Sequence, residues 1–341
     1  MVGAAAMTPR NVAVISMACL VLGACAGVQT PLMPAGVQAE RQAALFALML
    51  IVCVPIYALV IAALGWSVWR ARRKTGDAPD LTPADAVLGR GLILWAGIIL
   101  IGLSVLITGS FLVERKLAAV RRTPALAVRV TAHQWWWRIQ YRDPASGAWI
   151  ETANELHLPQ GRTARLALGS ADVIHSFWVP NLAGKMDVIP GRDNVLDVIP
   201  TKTGWFRGQC AEFCGIQHAH MAIDVKVESP ADFARWMAAQ TRVPTPPTDP
   251  VARRGLAVVT GGACAACHVV RGTPAAGRAG PDLTHVGSRR SIAAGVLPMS
   301  RGALQGWIAQ PQALKPGTMM PTITLSGADA DAAARYLEGL R

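Results

Sequence analysis

Cys210-Ala-Glu-Phe-Cys214-Gly-Ile-Gln-His218-Ala-His-Met221 places two thiolates, an imidazole and a thioether within twelve residues. Thiolate and thioether sulfur favour copper in its lower oxidation state, and imidazole serves both states. A donor set that serves both states without rearranging suits one-electron transfer. Each thiolate has lone pairs for two metals, so two cysteines can bridge a pair. One more imidazole completes the set, and His175 in Asp172-Val-Ile-His-Ser-Phe-Trp-Val-Pro180 lies upstream, where a neighbouring strand or loop can supply it. The alternatives are a zinc site, which has little use for Met221, and a Cys210–Cys214 disulfide. Neither calls for His175.

The run Cys-x-Glu-x-Cys-x3-His-x2-Met, preceded by His-Ser-Phe-Trp, resembles the dinuclear copper A centre of cytochrome c oxidase subunit II. The resemblance implies His175, Cys210, Cys214, His218, Met221 and the backbone carbonyl of Glu212 as ligands, with both thiolates bridging. It further implies a cupredoxin-like Greek-key barrel carrying these ligands on loops at one end. By the same analogy the Glu212 side chain points away from copper and helps hold a magnesium at the interface with subunit I. Asp187 and Arg192 match a family stretch near that interface; a solvated turn is the alternative.

A second redox signature follows. Cys264-Ala-Ala-Cys267-His268 is the c-type haem attachment pattern, with two thioether anchors and an axial histidine. A redox-active C-x-x-C pair would need no histidine and a thioredoxin-like context. The second axial ligand is sought among Met299, Met319 and Met320. Lys315-Pro-Gly-Thr-Met-Met320-Pro321 resembles the Met-Pro loop of small cytochromes c, which favours Met320 with Met319 as its competitor. Gly280-Pro-Asp-Leu-Thr-His285 matches the same family, implying that the Pro281 carbonyl braces His268; His285 is a weaker rival ligand, read first as a surface residue or a neighbour of a haem propionate.

With 341 residues and a mean hydropathy of +0.33, the chain exceeds one ordinary domain and carries membrane segments. Residues 1–24 read as a secretory signal. Leu22-Gly-Ala-Cys25 resembles a bacterial lipoprotein box, with Cys25 as a lipidation site and first mature residue. Residues 40–115 form a transmembrane hairpin with spans at about 43–69 and 91–113, each long enough for a bilayer needing about 20 helical residues. Pro55 is expected to kink the first. Arg70, Arg72, Arg73 and Lys74 put the connecting loop in the cytoplasm. The remaining domains then face the periplasm of a bacterial inner membrane. The net charge of +12 is scattered, part of it sets topology, and no nucleic-acid recognition motif accompanies it.

Residues 123–228 show short β-rich runs between Gly, Pro and Asp turns, the pattern of an antiparallel sandwich or barrel. Three adjacent tryptophans, Trp135 to Trp137, cannot share one strand face. An aromatic belt at the membrane surface is one reading; the family resemblance makes Trp135 an electron-entry residue. Residues 229–250 read as a short helix and a Pro-rich linker whose last ten residues reach about 31 Å if extended. Such a tether is expected to let the following domain swing at millimolar-order effective concentration. Residues 251–341 read as an all-α cytochrome c domain.

The whole is therefore a multidomain membrane protein: a two-helix transmembrane hairpin, an all-β cupredoxin-like Greek-key barrel and an all-α cytochrome c domain. Fused this way it resembles the caa3-type branch of bacterial oxidases. The resemblance implies electrons passing from cytochrome c or a bc1-type complex to haem c, then copper A, then haem a of subunit I. That subunit would carry copper B and reduce oxygen with proton translocation, with subunit III alongside. One departure is the absence of a glutamate near the start of the second span, where Asp85 is the nearest carboxylate. The copper subunit of a nitric oxide reductase and a non-enzymatic copper carrier are the alternatives.

Overall fold

The computed structural model describes residues 27–73, 85–120, 125–143 and 146–341. Cys25 and the signal segment lie outside them. Contacts divide the chain into a unit of residues 40–122 and a second unit formed by the remainder.

The first unit is helical. Helix α1 (Val37–Arg73) runs without a break through Pro55, and α2 is Asp85–Val120. Both are long and apolar enough to cross a membrane. Along them Ile51, Leu64, Ile93 and Ile107 are exposed, as expected of faces meant for lipid or other helices.

The second unit opens with a barrel of two five-stranded sheets. One has the order β3-β2-β1-β5-β8, with β1 Leu126–His133, β2 Trp136–Arg142, β3 Trp149–Ala153, β5 Ala164–Ser170 and β8 Asn194–Val198. The other has the order β4-β10-β9-β6-β7, with β4 Glu155–Pro159, β6 His175–Trp178, β7 Met186–Val188, β9 Gly204–Cys210 and β10 Ala222–Glu228. The pairs β1–β5 and β4–β10 are parallel rather than antiparallel. Alternation of buried residues identifies a strand's inner face but carries no information on the direction of its partner. Trp137, Tyr141, Phe177, Leu158 and Leu168 fill the space between the sheets. Of the three tryptophans, Trp135 and Trp137 are buried in protein, which takes those two out of the belt reading, and half-buried Trp136 stacks on His133 with ring centroids 4.5 Å apart.

Four helices begin by one recipe. Ser229, Asp249, Ser300 and Ser326 each accept a hydrogen bond from the backbone N–H three residues on, starting α3 (Pro230–Gln240), α4 (Pro250–Gly261), α6 (Arg301–Ala309) and α8 (Gly327–Gly339). Between α4 and α6 lies α5 (Cys264–Cys267), and α7 (Pro311–Leu314) follows α6. The linker is thus shorter than expected, because Asp249-Pro250 caps and opens α4. In the last domain α4 packs on α8 so closely that a Cβ on Gly255 would lie 1.9 Å from the Ala332 carbonyl oxygen. Only glycine fits that crossing.

The cytochrome-like domain is docked on the barrel rather than swinging from it. Arg290 N–H donates to Glu155 Oε2 at 2.6 Å, Ala222 N–H to the Ala294 carbonyl at 3.0 Å, and Ser291 Oγ bonds Asp224. Gln217 Nε2 donates to the Pro316 carbonyl at 2.8 Å. Several of these groups are buried, and docking supplies partners they would otherwise lack.

Glu155 also belongs to a buried cluster in the barrel. His157 lies between its Oε1 (2.9 Å) and Glu228 Oε2 (3.0 Å), with Trp236 stacked on the imidazole at 4.0 Å. Burial pushes His157 down, but the hydrogen bonds and charges of Glu155 and Glu228 outweigh it and leave its pKa above 6.5. Burial pushes Glu228 up, and His157 with Lys226 outweighs it, leaving its pKa below 4.5. Protonated His157 therefore contributes stability in full below pH 6.5, lost as pH rises through its raised folded value. Ionised Glu228 contributes above pH 4.5, lost as pH falls through its depressed value. Thermal unfolding followed by circular dichroism is expected to give a melting temperature that falls on both sides of this window, with H157Q flattening the alkaline limb.

Candidate metal and haem sites

Strand β9 ends at Cys210, and antiparallel pairing sets Phe177 of β6 opposite it. That register carries His175, the first residue of β6, to the thiol. A loop and the 3-10 turn His218–His220 then return the chain to Met221, just before β10. The Cys210 and Cys214 sulfurs are 3.7 Å apart, far beyond the roughly 2.05 Å of a disulfide. His175 Nδ1 lies 3.8 Å from Cys210 Sγ, and His218 Nδ1 lies 3.7 Å from Cys214 Sγ. Met221 Sδ is 3.9 Å from Cys214 Sγ, and the Glu212 carbonyl is 3.3 Å from Cys210 Sγ. Five predicted ligand side chains and one carbonyl thus converge. His175, Cys210 and Cys214, all buried, offer ligand atoms within 4.8 Å of one another.

The two thiols, close and buried together, push each other's pKa apart. Cys210 is pulled well down by its bonds to the Cys214 sulfur and to His175, while Cys214 is pushed up by Cys210 and by burial. Thiolate is the metal-binding form. A cation at the sulfurs would displace the Cys214 proton, so this soft, buried, closely spaced donor set fits a copper pair.

Asp172 is a site residue that the sequence reading left without a role. Its Oδ1 bonds His175 Nε2 at 2.8 Å, and Gln134 and Val173 N–H groups donate to the same carboxylate at 2.7 Å. Burial pushes Asp172 up, and these hydrogen bonds hold it below the usual carboxylate range. A carboxylate on Nε2 fixes the tautomer that leaves Nδ1 free for metal.

Trp135 lies against the same loop. Its Nε1 donates to the Cys214 carbonyl at 2.9 Å. Gly215, at φ +114°, takes a conformation that side chains rarely adopt, and a Cβ there would come within 3.0 Å of the indole. The ring also meets the 315–321 loop, where a Cβ on Gly317 would sit 3.6 Å from Trp135 Cη2. Lys315 is buried in that loop and donates to the Trp135 carbonyl at 2.8 Å; burial pushes its pKa down to about 7.

In the haem motif, Cys264–Cys267 makes one helical turn and His268 leaves it in extended conformation. His268 Nδ1–H donates to the Pro281 carbonyl at 2.8 Å, which leaves Nε2 for iron. Met319 is 84% exposed, whereas Met320 is half-buried and its carbonyl accepts from Gln312 Nε2 at 2.8 Å. Met299 packs against the domain's core. His285 is buried with Nε2 bonded to the Arg242 carbonyl at 3.2 Å, so it is not the surface residue expected. Arg289 is buried with its Nε lacking any partner, and Arg271 Nη2 is buried and likewise unpaired. Two cations with orphaned donors in a haem-attachment domain fit the anionic propionates of a porphyrin.

Glu212, Asp187 and Arg192 are exposed. Glu212 Oε1 accepts from Phe213 N–H at 3.2 Å, and the Asp187 carbonyl accepts from Asn194 Nδ2 at 2.8 Å. The β6–β7 register sets Asp187 opposite Ser176, the residue after His175.

Residues 143–228 match the family described as cytochrome c oxidase subunit II, periplasmic domain, and residues 252–341 match cytochrome c. The chain is 33% identical over 336 residues to cytochrome c oxidase subunit 2 of Alkalihalophilus pseudofirmus, covering 96% of each. It is 32% identical over 289 residues to the Bacillus sp. protein of the same name, covering 79% of this chain and 80% of that one. Among solved structures, the periplasmic domain of subunit II of cytochrome oxidase from Bradyrhizobium japonicum is similar at 34% identity and a TM-score of 0.33, covering 35% of this chain and 96% of that one.

Asp172→Ala removes the group that orients His175 while sparing every sulfur. Copper affinity, read by competition with a chelator, is expected to fall by about 10–100-fold, with the haem absorption unchanged.

Proposed function

The chain belongs to the cytochrome c oxidase subunit II family, and from that premise we propose that it is the electron-entry subunit of a proton-translocating respiratory oxidase, fed through its own haem domain. It is a subunit of an oxidoreductase, a haem-copper oxidase, and pairs with subunit I. The subunit II domain implies copper A and the cytochrome c domain implies haem c. When bound, these groups supply the one-electron carriers.

The proposed roles belong to the chain's own residues. Cys264 and Cys267 anchor the porphyrin, His268 and Met320 bind its iron, and Pro281 holds the His268 tautomer. His175, Cys210, Cys214, His218, Met221 and the Glu212 carbonyl hold the copper pair. Trp135 lies between the two sets and is the bridge from one to the other. The external donor, cytochrome c or a bc1-type complex, delivers to the haem domain. The acceptor is haem a of subunit I, where oxygen is reduced and protons are translocated. Glu212, exposed beside the metal site, is the proposed magnesium contact at that interface; subunit III completes the complex. The proposed location is the bacterial inner membrane with both redox domains in the periplasm, a reading that the two long apolar helices support.

The observation that carries this reading is the Met-Pro loop seated against Trp135, whose indole bonds the carbonyl of a copper-binding cysteine. In the purified oxidase, rapid photoreduction of haem c is expected to be followed by matched haem oxidation and bleaching of the copper A band. Copper reduction that bypasses haem c would overturn it.

Two outcomes follow for variants. Trp135→Phe loses the bond to the Cys214 carbonyl and is expected to slow haem-to-copper transfer several-fold with both spectra intact. Replacing Pro244, Pro246 and Pro247 by serine is expected to leave that rate unchanged, because docking contacts rather than linker stiffness hold the domains together.

A further inference from the structure

Lys315 opens the Met-Pro loop, yet it is 2% exposed and ranks among the largest fully buried side chains of the protein. Its Nζ donates to the Trp135 carbonyl at 2.8 Å, the His220 carbonyl at 2.8 Å and the Ala293 carbonyl at 2.9 Å. Three acceptors use all three hydrogens of an ammonium group. None of them is a carboxylate, so the hydrogen-bond partners of the ammonium form are peptide carbonyls. A buried cation without a counter-ion is costly, and an apolar side chain would fill the same space without that cost.

The positions of the acceptors explain what the cost secures. Trp135 is the residue whose indole bonds the Cys214 carbonyl. His220 lies between His218 and Met221 in the turn that carries both. Ala293 belongs to the haem domain's own loop between β11 (Ser291–Ile292) and β12 (Leu297–Pro298). One ammonium therefore ties the Met-Pro loop to two copper-side segments and to a second loop of its own domain. From the haem side, Gln312 Nε2 donates to the Thr318 and Met320 carbonyls at 2.7 and 2.8 Å, and Gly317 N–H donates to Gln312 Oε1 at 2.9 Å. The loop is thus braced internally by Gln312 and externally by Lys315.

We propose that Lys315 is a positioning residue for electron transfer, pinning the haem domain to the copper domain through the Trp135 and His220 carbonyls so that their separation is fixed. The inference rests on the haem-to-copper route proposed above. Electron tunnelling falls off exponentially with distance, so a fixed contact makes transfer independent of domain motion. Without the pin, the docked geometry becomes one of several, and transfer waits for its return.

The test uses the assembled oxidase, with Lys315→Met compared to the unaltered chain by flash photoreduction at increasing glycerol concentration. The unaltered chain is expected to transfer at a rate insensitive to viscosity. K315M is expected to transfer at least several-fold more slowly, with a rate that falls as viscosity rises, at unchanged copper content and haem spectrum. A purely structural role would not create viscosity dependence. A K315M rate equal to that of the unaltered chain at every viscosity overturns the proposal and leaves the route standing. Absence of haem-to-copper transfer in the unaltered chain overturns the route and the proposal together. If K315M loses copper or haem, Gln217→Ala replaces it, since it removes the bond to the Pro316 carbonyl beside Lys315 and, on the barrel side, the bond of Gln217 Oε1 to His220 Nδ1: slowing with viscosity dependence at retained copper content supports the pin, and unchanged kinetics overturns it.

Discussion

Two sulfurs 3.7 Å apart, neither bonded together nor driven apart, are the constraint around which the barrel is organised. Left alone in an oxidising compartment, such a pair tends toward a disulfide. Here one cysteine ends β9 and the other sits on a loop returning to β10, so the sheet fixes one end and the turn the other. The antiparallel register of β6 on β9 then delivers His175 from a segment 35 residues away. Asp172, three residues before His175, locks the ring by its far nitrogen. The ligand cluster is therefore a product of strand pairing, and its donors need little rearrangement to receive a metal.

The second constraint is the boundary between the barrel and the helical domain. It is crossed by hydrogen bonds from backbone and side chains on both sides, including those of buried Glu155, Asp224 and Lys315. Leaving such groups buried and unpaired costs more than each bond contributes when made. The boundary is consequently selective for one arrangement, and its stability does not derive from apolar area alone. The Pro-rich segment that precedes α4 becomes a connection between docked domains, with Val243 packed near Gly272 and the Arg242 carbonyl occupied by His285.

Much of this was legible from the residues. Two closely spaced ligand motifs, two apolar runs and a Pro-rich break give the order of the parts, because spacing within a motif is a local property. The convergence of Cys210, Cys214, His218 and Met221 needed only one loop and one turn. Asp172 was harder, since a carboxylate three residues from a histidine is commonplace and its role depends on the loop's shape. Lys315 stood in a quoted motif and still escaped notice: lysine in a Pro-Gly loop reads as solvated, and only the opposing domain makes it buried. The parallel pairs β1–β5 and β4–β10 were missed because burial alternation is blind to strand direction. His285 was misread for the same reason as Lys315, its partner lying 43 residues away.

The burial of Trp135 changes what the proposed entry residue can do. With the ring 7% exposed and covered by the 315–321 loop, a soluble protein cannot reach it while the domains are docked. Under the proposed route a diffusing donor then delivers its electron to the helical domain, on surface that the barrel leaves free. Fusion then separates two demands that a single docking face would otherwise combine. The outer face has to release its partner quickly after each electron, which favours weak and transient contact. The inner face has to hold one geometry, which favours buried and fully paired polar groups. A chain carrying both faces satisfies each without compromising the other, and the three carbonyls gathered on the Lys315 ammonium are what that inner requirement looks like at the level of a single side chain.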